Sequence, residues 1–199
     1  MWKLLLEGRG KMYKRVENHI ELAMFNFIWM TAWKEKGFEF EFSENVLDRY
    51  LVITDEGEYA GSVEIKPFTG KGTLDSVAPF RQHPLVEADP TLVAEIDKVA
   101  LLPEFRRKYT SALLSAGIYC AWKKGLHYLL ALLEPVFYRA LRITFRVPME
   151  KVGKKTFYKG GYVIPVLIKV KQIYEQPNLY EWLNLAPHAV KTLQDLQRS

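Results

Sequence analysis

Ala94-Glu-Ile-Asp-Lys-Val-Ala-Leu-Leu102, followed at once by Pro103-Glu-Phe-Arg-Arg-Lys108, is the stretch on which the fold turns. The first nine residues read as a strand that Pro103 ends. Phe105 to Lys124 then reads as a long helix with Leu113, Leu114, Ile118 and Ala121 on one face, stopped by Gly125. A helix start exposes unpaired backbone N–H groups and a partial positive charge. Arg106, Arg107 and Lys108 are therefore the wrong sign for helix stability there. They suit an anion such as a pyrophosphate; the plainer reading is a basic helix start facing water.

Outward from this stretch the periods change. Val16, Ile20, Met24 and Phe27 recur at helical spacing, giving one helix or two short ones over 13–36, ending at Gly37. Phe38, Phe40 and Phe42 alternate with Glu39 and Glu41 and predict a half-buried strand. Arg49–Thr54 and Tyr59–Phe68 flank a short turn containing Gly57 and predict a hairpin. Residues 69–93 read as a long loop with local turns. His127–Leu133 reads as a buried strand, and Glu134-Pro135 as the start of a helix. Strands over 145–158 and 162–171 surround Gly160-Gly161, and Leu179–Leu196 reads as a helical tail interrupted at Pro187.

This order predicts an α+β fold: a central mixed, mostly antiparallel sheet with helices on both faces, in one domain spanning 1–199. The recognisable core is 20–171, and the tail is 178–199. The chain has 199 residues with 49% hydrophobic and 26% charged, including 11 Phe, 11 Tyr and 5 Trp, which excludes a disordered chain. Its single cysteine excludes a disulfide framework. No apolar run approaches the roughly 18 residues of a membrane span, and Trp2–Leu6 is too short for a signal-peptide core. A soluble, cytoplasmic protein is expected.

Charge is unevenly spread. Residues 39–97 carry 13 acids and 4 bases, whereas 98–171 carry 15 bases and 3 acids. An electropositive face is expected from the second half, or else a scattered solvated surface.

Glu95-Ile-Asp-Lys-Val-Ala-Leu-Leu-Pro-Glu-Phe-Arg-Arg107 resembles the donor-binding strand and loop of the Gcn5-related N-acyltransferase (GNAT) superfamily, whose strand ends V-x-P-x-(Y/F)-R. The upstream hairpin resembles the superfamily's second and third strands. The resemblance implies that backbone groups of Val99, Ala100, Leu101 and Leu102 pair with a pantetheine arm. It further implies a pyrophosphate site on Arg106, Arg107, Lys108, Tyr109, Thr110 and Ser111. The superfamily's glycines are missing from Arg107-Lys-Tyr-Thr-Ser111, and the tyrosine that protonates its leaving thiolate is replaced by Ala140, with Tyr138 two positions off. Both features resemble the long-chain branch of N-acyl amino acid synthases and acyl-homoserine-lactone synthases, whose E-x-S-R-F-x-V aligns with Glu95–Leu101. Tyr158-x-Gly-Gly-x-Val-Ile-Pro-Val-Leu-Ile resembles the closing strands of that branch. The lactone synthases' strand-three arginine is Glu64 here, their R-x-x-x-F lacks its arginine, and only Asp48 stands for their acidic cluster. An acceptor other than S-adenosylmethionine is therefore implied.

The implied activity is acyl transfer from acyl-CoA or acyl carrier protein to a small-molecule amine, such as an amino acid. The alternatives are an acetyl-CoA-dependent N-acetyltransferase and a non-catalytic acyl-CoA-binding module. An attacking amine must lose a proton, and Glu95 is the candidate base, with Asp97 on the same strand face. The plainer reading pairs both carboxylates with Lys98 or Lys66. Leu101 N–H would serve the thioester oxygen. His83 and His127 read as ordinary loop and core histidines, and the four scattered histidines give no metal signature. Cys120 reads as packing. Phe25 to Trp33 reads as helix core or as the wall of an acyl tunnel. No phosphate-binding or dinucleotide motif is present, and nucleic acid is not an expected partner.

Overall fold

The computed structural model describes residues 12–70 and 72–185. Eight strands form a mixed sheet: β1 (Tyr13–Arg15), β2 (Asp48–Ile53), β3 (Tyr59–Pro67), β4 (Val93–Leu101), β5 (Tyr128–Leu133), β6 (Met149–Lys151), β7 (Thr156–Tyr158) and β8 (Gly161–Ile168). Their order is β1-β2-β3-β4-β5-β8-β6, with β7 paired to β8. All pairs are antiparallel except β4 with β5.

Alternation along the strands feeds two faces. Tyr50, Val52, Leu129 and Ala131 pack on one side with helices α4 (Thr110–Lys123) and α6 (Val170–Glu175). Leu51 and Ala100 face the other side, against Phe25, Ile28 and Trp29 of α1 (His19–Lys36). Leu130 and Leu167 continue that second side under α2 (Thr73–Val77) and α3 (Pro84–Ala88). Helix α5 (Pro135–Ile143) follows β5, with Pro135 in its first turn. The α+β sheet with helices on both faces is thus present.

Helix α1 starts later than its periodicity suggests, because Tyr13–Arg15 pairs with β2 as an edge strand. Asn18 caps it by accepting from Glu21 N–H, and Gly37 ends it at φ 76°. The predicted strand over 38–42 is corrected: this segment is an unpaired extended arm. Its alternation is real but serves two other surfaces. Phe38 packs on Trp33, Phe40 and Phe42 pack edge-on against Trp29, and Glu41 points to Lys159. The 69–93 loop holds two short helices and two 3-10 turns. The long helix begins only at Thr110, because Pro103–Phe105 forms a 3-10 turn and 106–109 a further turn. The strands around Gly160-Gly161 are three, not two. Of the predicted tail helix, Pro177–Leu179 is a 3-10 turn and 180–185 is not helical; 186–199 lies outside the described residues, as does Trp2–Leu6.

Part of the uneven charge along the chain is taken up by ion pairs between its halves. Lys98 meets Glu64, Arg106 meets Glu35, Lys108 meets Asp55, Lys124 meets Asp48, and Lys159 meets Glu41.

Candidate active site

The parallel pair at the sheet's centre opens almost as soon as it forms. β4 pairs with β5 only from Val93 to Glu95, opposite Tyr128 to Leu130. Beyond Glu95 the two strands diverge, and a cavity of about 420 Å³ lies between them, within the range of small-molecule sites. Its walls include Ile96 to Leu101 of β4, Ala131 to Leu133 of β5, and Phe137 and Ala140 of α5.

Strand β4 is bent by a bulge. Ser62 pairs with Ala100 and Glu64 with Asp97, so Lys98 and Val99 together face Val63. Lys98 takes φ 48°, and its carbonyl accepts from Ser62 Oγ at 2.8 Å. Its side chain is 1% exposed and its Nζ donates to Glu64 Oε1 and Ser43 Oγ, each at 2.6 Å, 5.3 Å from the Trp29 ring centre. Arg49 holds the other oxygen of Glu64 at 2.7 Å. Glu64, in the place of the implied arginine, thus anchors the bulge from beneath.

Past the bulge, Leu102 N–H donates to Ala60 O at 3.0 Å. Strand alternation then turns the N–H and C=O of Leu101 toward the open side, where Arg106 Nε reaches Leu101 O at 3.4 Å. The N–H of Leu102 is therefore occupied, which corrects its expected role as a donor-pairing group. Arg106 forms two hydrogen bonds to the Glu35 carboxylate and lines the cavity with Thr110. Arg107 and Lys108 are exposed beside the first turn of α4, and Ser111 is half-buried in that turn.

Tyr109 is a further correction. Its side chain is buried, its N–H donates to Phe105 O at 3.0 Å, and its hydroxyl lies 3.4 Å from Asp55 N on the β2–β3 turn. It braces the loop rather than presenting an amide to a phosphate. Such a brace holds a defined turn where a glycine loop would rely on backbone freedom.

Glu95 and Asp97 both face the cavity, and Lys66 lies between them, 3.3 Å from Glu95 Oε2 and 3.0 Å from Asp97 Oδ2. Burial pushes the Glu95 carboxyl above the ordinary carboxylate range, with Lys66 opposing and Asp97 and Glu41 reinforcing. Burial acts on Asp97 too, but Lys66 and Lys98 outweigh it and hold Asp97 below that range. For Lys66, burial is outweighed by Asp97 and Glu95, so its pKa is raised and it stays charged. One carboxylate is thus fixed as an anion while its neighbour is poised closer to neutrality.

A second polar cluster in the same cavity escaped the sequence reading. Lys159 Nζ pairs with Glu41, and Thr73 Oγ1 donates to Glu41 Oε1 at 3.3 Å; Tyr158 stands beside them on the wall. Lys159 and Gly160 form the two-residue turn between β7 and β8, both at positive φ. The turn docks on the end of α1, where Lys159 O accepts from Glu39 N–H at 3.1 Å. A Cβ at Gly160 would stand 2.1 Å from Gly37 O. Gly160→Ala should therefore cost about 2 kcal/mol or more. Gly57→Ala, at the same φ of 89° in open space, should cost less. Equal shifts of the urea midpoint would show that the docking contact contributes nothing.

The remaining candidates fall outside this chemistry. His83 lies within 3.3 Å of Glu150 and caps α3; it does not line the cavity. Burial lowers the pKa of His127 and pushes the Cys120 thiol up to about 12, so Cys120 packs and does not react. Phe25, Ile28 and Trp29 are core, while Ala32 and Trp33 of α1 reach the cavity.

No family model matches the chain, and no curated protein matches it. Solved structures do. FeeM, an N-acyl amino acid synthase from uncultured soil microbes, is 13% identical with a TM-score of 0.67, over 86% of this chain and 97% of that one. BjaI, a CoA-dependent acyl-homoserine lactone synthase, is 11% identical with a TM-score of 0.61, over 94% and 89%. The homoserine-lactone synthase LasI is 14% identical with a TM-score of 0.59, over 87% and 95%. The chain shares the fold of these acyl synthases.

Proposed function

We propose that this protein is an N-acyltransferase that moves an acyl group from a CoA or carrier-protein thioester to a small amine. The observation that carries this reading is the divergence of β4 from β5. It turns Leu101 N–H to the open side beside the start of α4, with Leu101 O held by Arg106 Nε, and leads along one cavity to Glu95, Asp97 and Lys66. In this reading the pantetheine arm lies along Val99 to Leu101, and the phosphates meet the first turn of α4 with Arg107, Lys108, Thr110 and Ser111 around them. Leu101 N–H takes the thioester oxygen. Glu95 accepts the proton from the amine as nitrogen attacks the carbonyl carbon. The N–C bond forms, the C–S bond breaks, and the leaving thiolate takes a proton from water, since Ala140 carries no hydroxyl. Asp97 keeps Lys66 charged and in place. The likeness to FeeM supports an amino acid as acceptor, and the exposed bases Arg107 and Lys108 beside the first turn of α4 support an anionic donor, whether CoA or carrier protein. The reaction takes place in the cytoplasm, in a chain acting as one domain.

A second reading, a donor-binding module without turnover, is favoured by the tight hold of Lys66 on both carboxylates. Amine-dependent thiol release separates the two. Purified protein is offered acetyl-CoA, palmitoyl-CoA and acylated carrier protein against a panel of amino acids and simple amines. Release that depends on one class of amine is expected. Donor binding without release from any of them would select the module.

A further inference from the structure

The β7–β8 hairpin carries a second feature that acyl transfer does not use. Phe157 and Tyr162 face each other across the two strands, ring centres 5.4 Å apart and edge-on, yet they are 63% and 53% exposed. Two aromatic rings left in water at a hairpin end are an uncommon arrangement unless something covers them. Exposed lysines precede them in the chain. Lys155 Nζ stands 4.4 Å from the Tyr162 ring centre, Lys154 is its neighbour in sequence, and Lys151, over Tyr138, is paired to the same strand β8; all three are exposed.

Many cations elsewhere in the second half pair with acids, among them Lys98, Arg106, Lys124, Lys159 and Lys169. Lys151, Lys154 and Lys155 do not: among the described residues none has a carboxylate within salt-bridge distance. The sequence contains no Asp or Glu from Lys151 to Tyr174. The acids on the arm docked to the turn are Glu39 and Glu41, and Glu41 is matched by Lys159.

We propose that this hairpin docks on an anionic lipid surface. Aromatic rings of this kind settle at the boundary between headgroups and acyl chains, where their apolar bodies leave water. Basic residues beside them gain from the negative surface potential, each multiplying partitioning by roughly fivefold at moderate salt. Neither contribution suffices alone; a few lysines with two interfacial rings give reversible attachment. Phe157 and Tyr162 do not line the cavity, so attachment leaves the site's own residues untouched. Tyr158 and Lys159 belong to the cavity and take no part in the lipid contact. Acidic protein surfaces offer the same charge, but the paired rings fit a lipid boundary without needing a matching pocket.

The test is co-sedimentation of the full chain with vesicles of phosphatidylcholine alone and with a third phosphatidylglycerol. Binding to the anionic vesicles only, lost in 0.5 M salt, is expected. Lys154→Glu with Lys155→Glu should lower partitioning by more than about tenfold, and Phe157→Ser with Tyr162→Ser should lower it comparably. Unchanged circular dichroism would show that both variants fold. Turnover of soluble substrates should match the parent, which keeps this test separate from the acyltransfer reading. Absence of vesicle binding, or binding indifferent to both pairs of substitutions, would overturn the proposal. So would loss of binding to an acidic carrier protein in these variants while vesicle binding persists.

Discussion

Glu95→Gln is expected to lower amine-dependent thiol release by about 10²–10⁴-fold, the range that a positioned general base contributes. The substitution keeps size and shape, so donor retention should not change. Burial holds the Glu95 carboxyl above the usual range, and Lys66 keeps it from rising further. A base works only when deprotonated, so activity should climb with pH through an acidic limb above that of a free carboxylate. In Glu95→Gln that limb should vanish. An unchanged rate, or a limb that survives the substitution, would remove Glu95 from the mechanism.

The second large effect is on stability. Lys98 and Glu64 are 1% and 0% exposed and hold each other at 2.6 Å beneath the bulge of β4. Lys98→Met leaves Glu64 buried with Arg49 and without its closest cation. Removing one member of such a pair costs about 3–5 kcal/mol. For a chain of this length that corresponds to a fall in Tm of about 6–20 °C. The backbone at φ 48° costs the same for Met as for Lys, so the change removes the Nζ contacts to Glu64, Ser43 and the Trp29 ring without altering backbone strain. Lys98→Met combined with Glu64→Leu should recover part of the loss, because the fully buried orphan carboxylate is gone and only the partly exposed Arg49 is left unpaired. A single-variant loss below about 1 kcal/mol, or strict additivity in the double variant, would contradict this account of the bulge.

Much of the sheet was readable in advance, for a local reason. The β2–β3 hairpin and the strands at 94–101 and 128–133 declare themselves by composition and by the turns and prolines that bound them. The arm at 38–42 misled because period two requires only an extended chain with two unlike sides. Trp29 and Trp33 supply one side and the cavity the other, with no neighbouring strand. The start of α4 misled because Pro103 opens a 3-10 turn before the helix, and nothing local separates the two.

The candidate site divides similarly. Glu95 and Asp97 were visible as acids two apart on one strand. That Lys66 lies between them depends on the β3–β4 register, Lys66 opposite Glu95 and Glu64 opposite Asp97, which a bulge shifts. Glu41 and Lys159 are 118 residues apart, and only the docking of a two-residue turn on α1 brings them together. The Lys159-Gly160 pair was the available signal, since a two-residue hairpin turn favours glycine and tolerates few other residues at positive φ.

The central claim is that the opening between β4 and β5 receives an acyl thioester. Native mass spectrometry of the full chain offered acetyl-CoA, palmitoyl-CoA and acylated carrier protein tests it most directly. Retention of one donor per chain is predicted, and the donor retained identifies the branch of chemistry. If none of the three is held, the cavity at 96–101 does not bind a donor and the acyltransfer account is wrong.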